Sequence, residues 1–328
     1  MAVLASKAHF GACMRRCLSF LLVGLLAGCS QQPQHLLRPN GVAVASDQHI
    51  YVTDRGNYRI AQLDSTGQIA ASIGVFGVGP SNIHSGWDLG RDSFGRLYIG
   101  NFIYNDEATL VHDGVRSFEP DGSFVREFGG NDYDPAMDEP TNEPYGVTVD
   151  SADRIWVANY KANRVVVYHR DGQQLAEFFG EFGNGNEQFS GISDLVVDRE
   201  RRHVYVVDSF NGRIQEFSLH EAGDTISLQF LRVIGRYGSN LGEFSYPLNI
   251  ALDQATGDIY VGDMGNQRIQ RLTHDGQPIA AFAPDLARWQ VFGLAFHNNH
   301  VYAADAYNNT IWRFNADGSN PQRLGSEQ

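Results

Sequence analysis

The stretch Ile259-Tyr260-Val261-Gly262-Asp263, followed by Met264-Gly265-Asn266-Gln267-Arg268-Ile269, is one copy of a repeated unit. An apolar, aromatic, apolar, small, acidic run of this kind describes a buried strand stopped by a turn-forming residue. The same core recurs as Ile50-Tyr51-Val52-Thr53-Asp54, Leu97-Tyr98-Ile99-Gly100-Asn101, Ile155-Trp156-Val157-Ala158-Asn159, Val204-Tyr205-Val206-Val207-Asp208 and Val301-Tyr302-Ala303-Ala304-Asp305. The aromatic second positions lie 47, 58, 49, 55 and 42 residues apart. Another apolar strand precedes each core (41–45, 87–90, 146–149, 195–197, 249–252, 293–296), and a third and usually a fourth follow. Six units of four antiparallel strands predict an all-β fold, a six-bladed β-propeller.

The turns agree with that reading. Thr66-Gly67, Asp121-Gly122, Asp171-Gly172, Asp275-Gly276 and Asp317-Gly318 sit where the third strand turns into the fourth, at positions that favour positive φ. After the core comes Asp-x-x-Asn-x-Arg-Ile, as Asp54, Asn57, Arg59, Ile60, then Asp208, Asn211, Arg213, Ile214, and Asp263, Asn266, Arg268, Ile269. Asn159, Asn163 and Arg164 form a shifted version, and Asp305 and Asn308 one without the arginine. Five residues apart across a tight hairpin, carboxylate and guanidinium are expected to pair and fasten each blade, so these acids read as scaffold. With Gly235-x-x-Gly238-x-x-x-Gly242-x-Phe244 leading into the next unit, the pattern resembles the NHL-repeat family over about residues 38–325. The second unit departs most, because Asn101 is followed by an insertion through Gly114 with no Asn-x-Arg.

Forty-two per cent hydrophobic and 19% charged residues in 328 exclude a disordered chain, and 35 glycines suit short strands and tight turns. Arg15 and Arg16 precede a short apolar run that reaches Leu26-Ala27-Gly28-Cys29, too short to span a bilayer. That tetrad resembles the bacterial lipobox, which implies a signal peptide over 1–28, lipidation of Cys29 and a tether over 29–37 before the propeller at 38–325 and a tail at 326–328. Met14 is an alternative start. All three cysteines, Cys13, Cys17 and Cys29, fall in this segment, so no disulfide is expected. Removing 1–28 takes away Lys7, Arg15 and Arg16 and no acid, moving the net charge from -13 to -16. That charge repels phosphate backbones and disfavours nucleic acid. The membrane is then met only through the N-terminal lipid, and the expected location is the bacterial cell envelope, at the outer membrane facing the periplasm in a Gram-negative host.

Strand parity puts the long segments 76–86, 103–114, 129–143, 180–190 and 235–246 on one face, and loops on a rigid scaffold are where binding concentrates. At the centre of that face the leading ends of the inner strands bring Asn40, Trp87, Asp88, Tyr145, Asp194, Asn249 and Phe292 toward one axis. Asp88, Asp194 and Asn249 are hard oxygen donors of the kind that hold Ca²⁺ or Mg²⁺, or else they cap strand ends and bind channel water. Trp87, Tyr145 and Phe292 either stack on a sugar or peptide or plug the channel. Phe102, Tyr104, Tyr160, Phe210 and Tyr307, just behind the core acids and amides, form an expected outer aromatic ring. The segment 131–139 holds four acids without EF-hand spacing and reads as a solvated loop.

Three functional classes follow from these residues. Propellers of the peptidyl-hydroxyglycine lyase group carry zinc on histidines at the leading ends of inner strands, where this chain has none. Gluconolactonase-like propellers hold a divalent ion with acids and amides there, which Asp88, Asp194 and Asn249 resemble in part. The resemblance to NHL repeats implies a non-enzymatic module, a monomer that binds an envelope protein, peptide or carbohydrate through the loop-rich face. No nucleophile elbow or phosphate-cradling loop competes with that expectation.

Overall fold

The computed structural model describes residues 33–104, 110–132, 142–223 and 225–325. Cys29, the lipobox, most of the acidic segment and the tail at 326–328 lie outside the described residues. Among the described residues no helix is long and apolar enough to cross a membrane.

The first blade is β1 (Pro39–Val44), β2 (Ile50–Asp54), β3 (Arg59–Leu63) and β4 (Ile69–Ile73). The second is β5 (Ser85–Arg91), β6 (Leu97–Tyr104), β7 (Leu110–Phe118) and β8 (Phe124–Asp132), and the third β9 (Pro144–Val149), β10 (Ile155–Asn159), β11 (Arg164–Tyr168) and β12 (Gln174–Phe179). Then come β13 (Ile192–Asp198), β14 (His203–Asp208), β15 (Arg213–Ala222) and β16 (Thr225–Ile234), followed by β17 (Pro247–Leu252), β18 (Ile259–Asp263), β19 (Arg268–Leu272) and β20 (Pro278–Phe282). The sixth blade is β21 (Val291–His297), β22 (His300–Asp305), β23 (Thr310–Asn315) and β24 (Gln322–Leu324). Each group of four is its own antiparallel sheet in sequence order, giving the six-bladed propeller. The insertion in the second unit lengthens the β6–β7 hairpin, with Phe102 opposite Asp113 and Ile103 opposite His112, and leaves the blade intact.

Among the described residues the ring closes without strand exchange. Residues 35–38 precede β1, and among the described strands β24 pairs with β23 alone, so the first and last blades meet by packing. Leu36 and Leu324 are buried together with Val52, Leu63, Tyr302 and Ile311 at that seam. The Arg38 amide donates to Asn309 Oδ1 at 2.8 Å across it.

The core lies between blades. Each second strand presents residues alternately to its two neighbouring sheets, so its apolar run is buried throughout. Val204 and Val206 pack toward the third blade with Trp156 and Val165, whereas Tyr205 and Val207 pack toward the fifth with Ile250 and Val261. The repeated aromatic also ties blades by hydrogen bonds: the Tyr205 hydroxyl donates to His274 O at 2.7 Å and that of Tyr260 to Ala316 O at 3.0 Å.

The acid, amide and arginine of the repeat act together as sequence predicts. Asp263 and Arg268 face each other at the ends of β18 and β19, and Arg268 Nε donates to Asp263 Oδ2 at 2.8 Å. Asn266 Nδ2 donates to the same oxygen at 2.8 Å, and Ser245 N to Oδ1 at 2.7 Å. The arginine also reaches the crossing loop, at Asn240 O and Glu243 O. Asp208 and Asp54 repeat the arrangement with Arg213 and Arg59, each at 2.7 Å. The second blade fills the role differently: buried Arg116, two residues past Gly114, donates to the crossing-loop carbonyls of Gly79 and Asn82.

Candidate functional site

The leading ends of the inner strands carry, around the axis, Gly41, Asp88, Gly146, Asp194, Asn249 and Gly293, so that each aspartate follows a glycine of the preceding blade. The glycines are required by close approach. A β-carbon at Gly41 would stand 2.6 Å from Asp88 Oδ1, and one at Gly146 would stand 2.7 Å from Asp194 Oδ1. Each carboxylate then bridges forward, Asp88 Oδ2 accepting from Val147 N and Asp194 Oδ2 from Ile250 N, both at 2.9 Å. These bonds clamp the second blade to the third and the fourth to the fifth.

Asp88 and Asp194 line a central channel of about 260 Å³ that runs to Arg91 and Gln254 on the face of short turns. Burial pushes the Asp88 carboxyl up to about 6. Burial, and then the charge of Asp88, raises Asp194 well above the usual carboxylate range. Asn40 and Asn249 are both buried, with Asn40 Nδ2 and Asn249 Oδ1 lacking a hydrogen-bond partner. Asn249 directly precedes Ile250, whose amide Asp194 accepts. Two carboxylates alone fall short of the roughly six to eight oxygens that calcium takes, and each also accepts main-chain amides. Among the described residues no group of three His, Cys, Asp or Glu is placed to hold a metal ion.

Above the acids lies a continuous aromatic arc. The Trp87 ring is 4.3 Å from Tyr145 and 6.3 Å from Phe292, between ring centroids. Tyr145 stacks on Tyr160 at 4.2 Å and 11°. Tyr160 meets Phe210 at 5.8 Å, and Phe210 meets Tyr246 at 5.2 Å. The Tyr160 and Tyr246 hydroxyls are hydrogen-bonded at 2.9 Å, and burial together with that bond holds the Tyr160 phenol above its ordinary value. Phe102, expected in an exposed ring, is instead 1% exposed beneath Trp87 and Tyr145. The cause is its place on the elongated β6, which continues as strand where other blades turn. The side chain of Tyr104 lies outside the described residues.

Tyr307 stands apart from the arc. With Asn40 and Phe292 it lines a cleft of about 540 Å³ where the first and last blades meet. Sequence reasoning missed four participants: Tyr246 in the arc, Arg38 and Arg55 in the cleft, and Arg288, whose guanidinium lies 4.5 Å over Tyr307. A signal existed for Arg55, which directly follows the core Asp54 as Tyr160 follows Asn159.

The NHL repeat family matches at residues 36–63 and 141–168, within the first and third blades. NHL repeat-containing protein 3 of Homo sapiens is 22% identical over 256 residues, 75% of this chain and 68% of that protein. Protein brain tumor of Drosophila melanogaster is 29% identical over 140 residues, 43% of this chain and 12% of the fly protein. Among solved structures, a streptogramin B lyase superposes with a TM-score of 0.58 at 16% identity, covering 90% of this chain and 85% of the lyase, a likeness of fold. Repeated cores, blade topology and these matches lead to one statement: the chain is a six-bladed β-propeller that carries NHL repeats.

Proposed function

We propose that this protein is an envelope-anchored binding module, tethered by lipid at Cys29, that docks an envelope protein, peptide or carbohydrate on its loop-rich face without catalysing a reaction. The observation that carries the reading is the arc Trp87, Tyr145, Tyr160, Phe210: stacked rings held rigid by a scaffold, ending in Phe210, which is 58% exposed. Such an arrangement offers a large contact area at little cost in side-chain entropy. A metal-dependent hydrolase or lyase asks more of the channel than its donors supply, since Asp88 and Asp194 are engaged as clamps between blades.

The test is capture from envelope extract by the immobilised protein. The double variant Tyr160→Ala, Phe210→Ala should lose at least about tenfold of the captured partner, since anchors of this kind contribute 2 kcal/mol or more each, by rough measure. Undiminished capture removes the arc as a docking surface. In the producing cell, Cys29→Ser should abolish labelling by palmitate and release the protein from membranes; continued labelling would refute the lipid tether.

A further inference from the structure

Residues 65–87 contain no Asp, Glu, Lys or Arg, in a chain whose net charge is -13. Within that stretch the crossing from the first blade to the second, 74–83, turns three apolar side chains outward: Val75 is 53% exposed, Phe76 60% and Val78 66%. Two other crossings of the same pattern also expose an aromatic, Phe182 and Tyr237. There charges accompany it, Glu181 and Glu187 in one, Arg236 and Glu243 in the other. The main chain of 74–83 is bonded within the protein. Val75 O accepts from Ile83 N at 2.9 Å, Gly79 O from Asn82 N at 3.0 Å and from Arg116, and Asn82 O from Arg116. Arg116, which fastens the loop, is itself buried and paired with Glu127. The beginning of the described chain lies against the same loop: His35 O accepts from Asn57 Nδ2 at 3.0 Å and from Arg59 Nη2 at 3.2 Å. Between those two donors Tyr58 sets its ring 4.5 Å from that of Phe76. Cys29 is six residues before His35, a stretch that spans at most about 22 Å, so acylation there would hold this edge of the propeller close to a bilayer.

We infer that the crossing loop 74–83 seats the propeller edge-on in a bilayer, with Val75, Phe76 and Val78 entering the lipid interface as a second contact beside the Cys29 lipid. A lipid surface accepts outward apolar side chains on a segment that brings no charge and whose carbonyls are already bonded. The negative net charge selects a neutral surface over an anionic one. The fourth blade, which carries Phe210, lies across the ring from the first, so this seat leaves the far end of the aromatic arc open. The inference rests on the envelope-anchored reading and names the surface that this edge of the molecule meets.

The test mixes the full chain with phosphatidylcholine vesicles whose acyl chains carry bromine, a fluorescence quencher confined to the hydrocarbon. In Phe76→Trp the emission added over the wild type should be quenched at least about twofold, because interfacial side chains reach about 5–10 Å into the boundary between headgroups and acyl chains. In Phe182→Trp, at the equivalent position of a charged crossing, the added emission should persist. Val78→Asp introduced into Phe76→Trp should relieve the quenching and leave the melting temperature in place, since Val78 is an exposed side chain. Failure of the chain to associate with the vesicles, unquenched emission from the tryptophan at position 76, or equal quenching at 76 and 182 would overturn the inference. So would a blue shift at position 76 without quenching, the signature of a protein partner or a second copy of this chain covering the loop. Palmitate labelling reads the tether and envelope capture reads the arc. Unquenched emission in a chain that is still labelled and still captures its partner therefore strikes this inference alone, and quenching without labelling strikes the tether alone.

Discussion

At the scale of single residues, the aspartates of this chain do two different jobs. Asp54, Asp208 and Asp263 are fully buried yet satisfied by turn amides, an asparagine and an arginine. Asp88 and Asp194 are held by main-chain amides without an arginine, and Asp194 also feels the charge of Asp88. The folded protein therefore binds a proton at Asp88 more tightly than the unfolded chain, whose aspartates titrate near about 4. The Asp88 contribution to stability is greatest below about 4 and declines as pH rises to about 6. In Asp88→Asn the amide oxygen still accepts from Val147 N, and the decline disappears. Urea midpoints between those pH values should show the wild type losing up to about 3 kcal/mol relative to the variant. Parallel curves would mean that Asp88 binds its proton equally well in the folded and unfolded chain.

At the scale of elements, the segments joining one blade to the next are built structures. In the crossing at 235–246, Phe244 N donates to Arg236 O at 2.9 Å and Gly238 N to Phe244 O at 3.0 Å. The Phe244 ring is wholly buried, and Gly235 sits against it at φ 75°, where a β-carbon would come within 2.3 Å. Phe189 and Ile83 are the equivalent plugs of the crossings at 180–190 and 76–86. Phe244→Ala is expected to cost about 3–5 kcal/mol in denaturant unfolding, the ordinary penalty for emptying a buried aromatic site. A loss below about 1 kcal/mol would show that the loop collapses around the gap. Because Tyr246 follows closely and packs on Phe210, the same variant should loosen that end of the aromatic arc.

At the scale of the whole molecule, the ring is closed by side-chain packing between its first and last sheets. Leu36 is fully buried there, and a β-carbon at Gly325 would meet it at 2.8 Å. Leu36→Ala should lower stability by about 2–5 kcal/mol, read as a shift in urea midpoint. A negligible shift would mean that the seam contributes little to holding the ring shut.

Blade number, strand order within a blade, the glycine turns and the pairing of Asp263 with Arg268 were legible from spacing alone, because each depends on residues a few positions apart. A strand period and a tight turn are local consequences of side-chain size and allowed φ. The sequence also pointed to the leading ends of the inner strands as a meeting place for Trp87, Tyr145 and Phe292, whose rings do meet there, and Tyr160 and Phe210, expected in an outer ring, extend the same arc. Which of those side chains share a cavity was decided only by tertiary structure. Asp88 and Asp194 face the channel, Asn40 lies in the cleft with Arg38 and Arg55, and Phe102 is covered by its neighbours. These outcomes depend on the stagger between separate sheets and on the room that Gly41 and Gly146 leave for a carboxylate from the next blade. Such distances are set by packing among residues far apart in the chain, and no periodicity along it carries them.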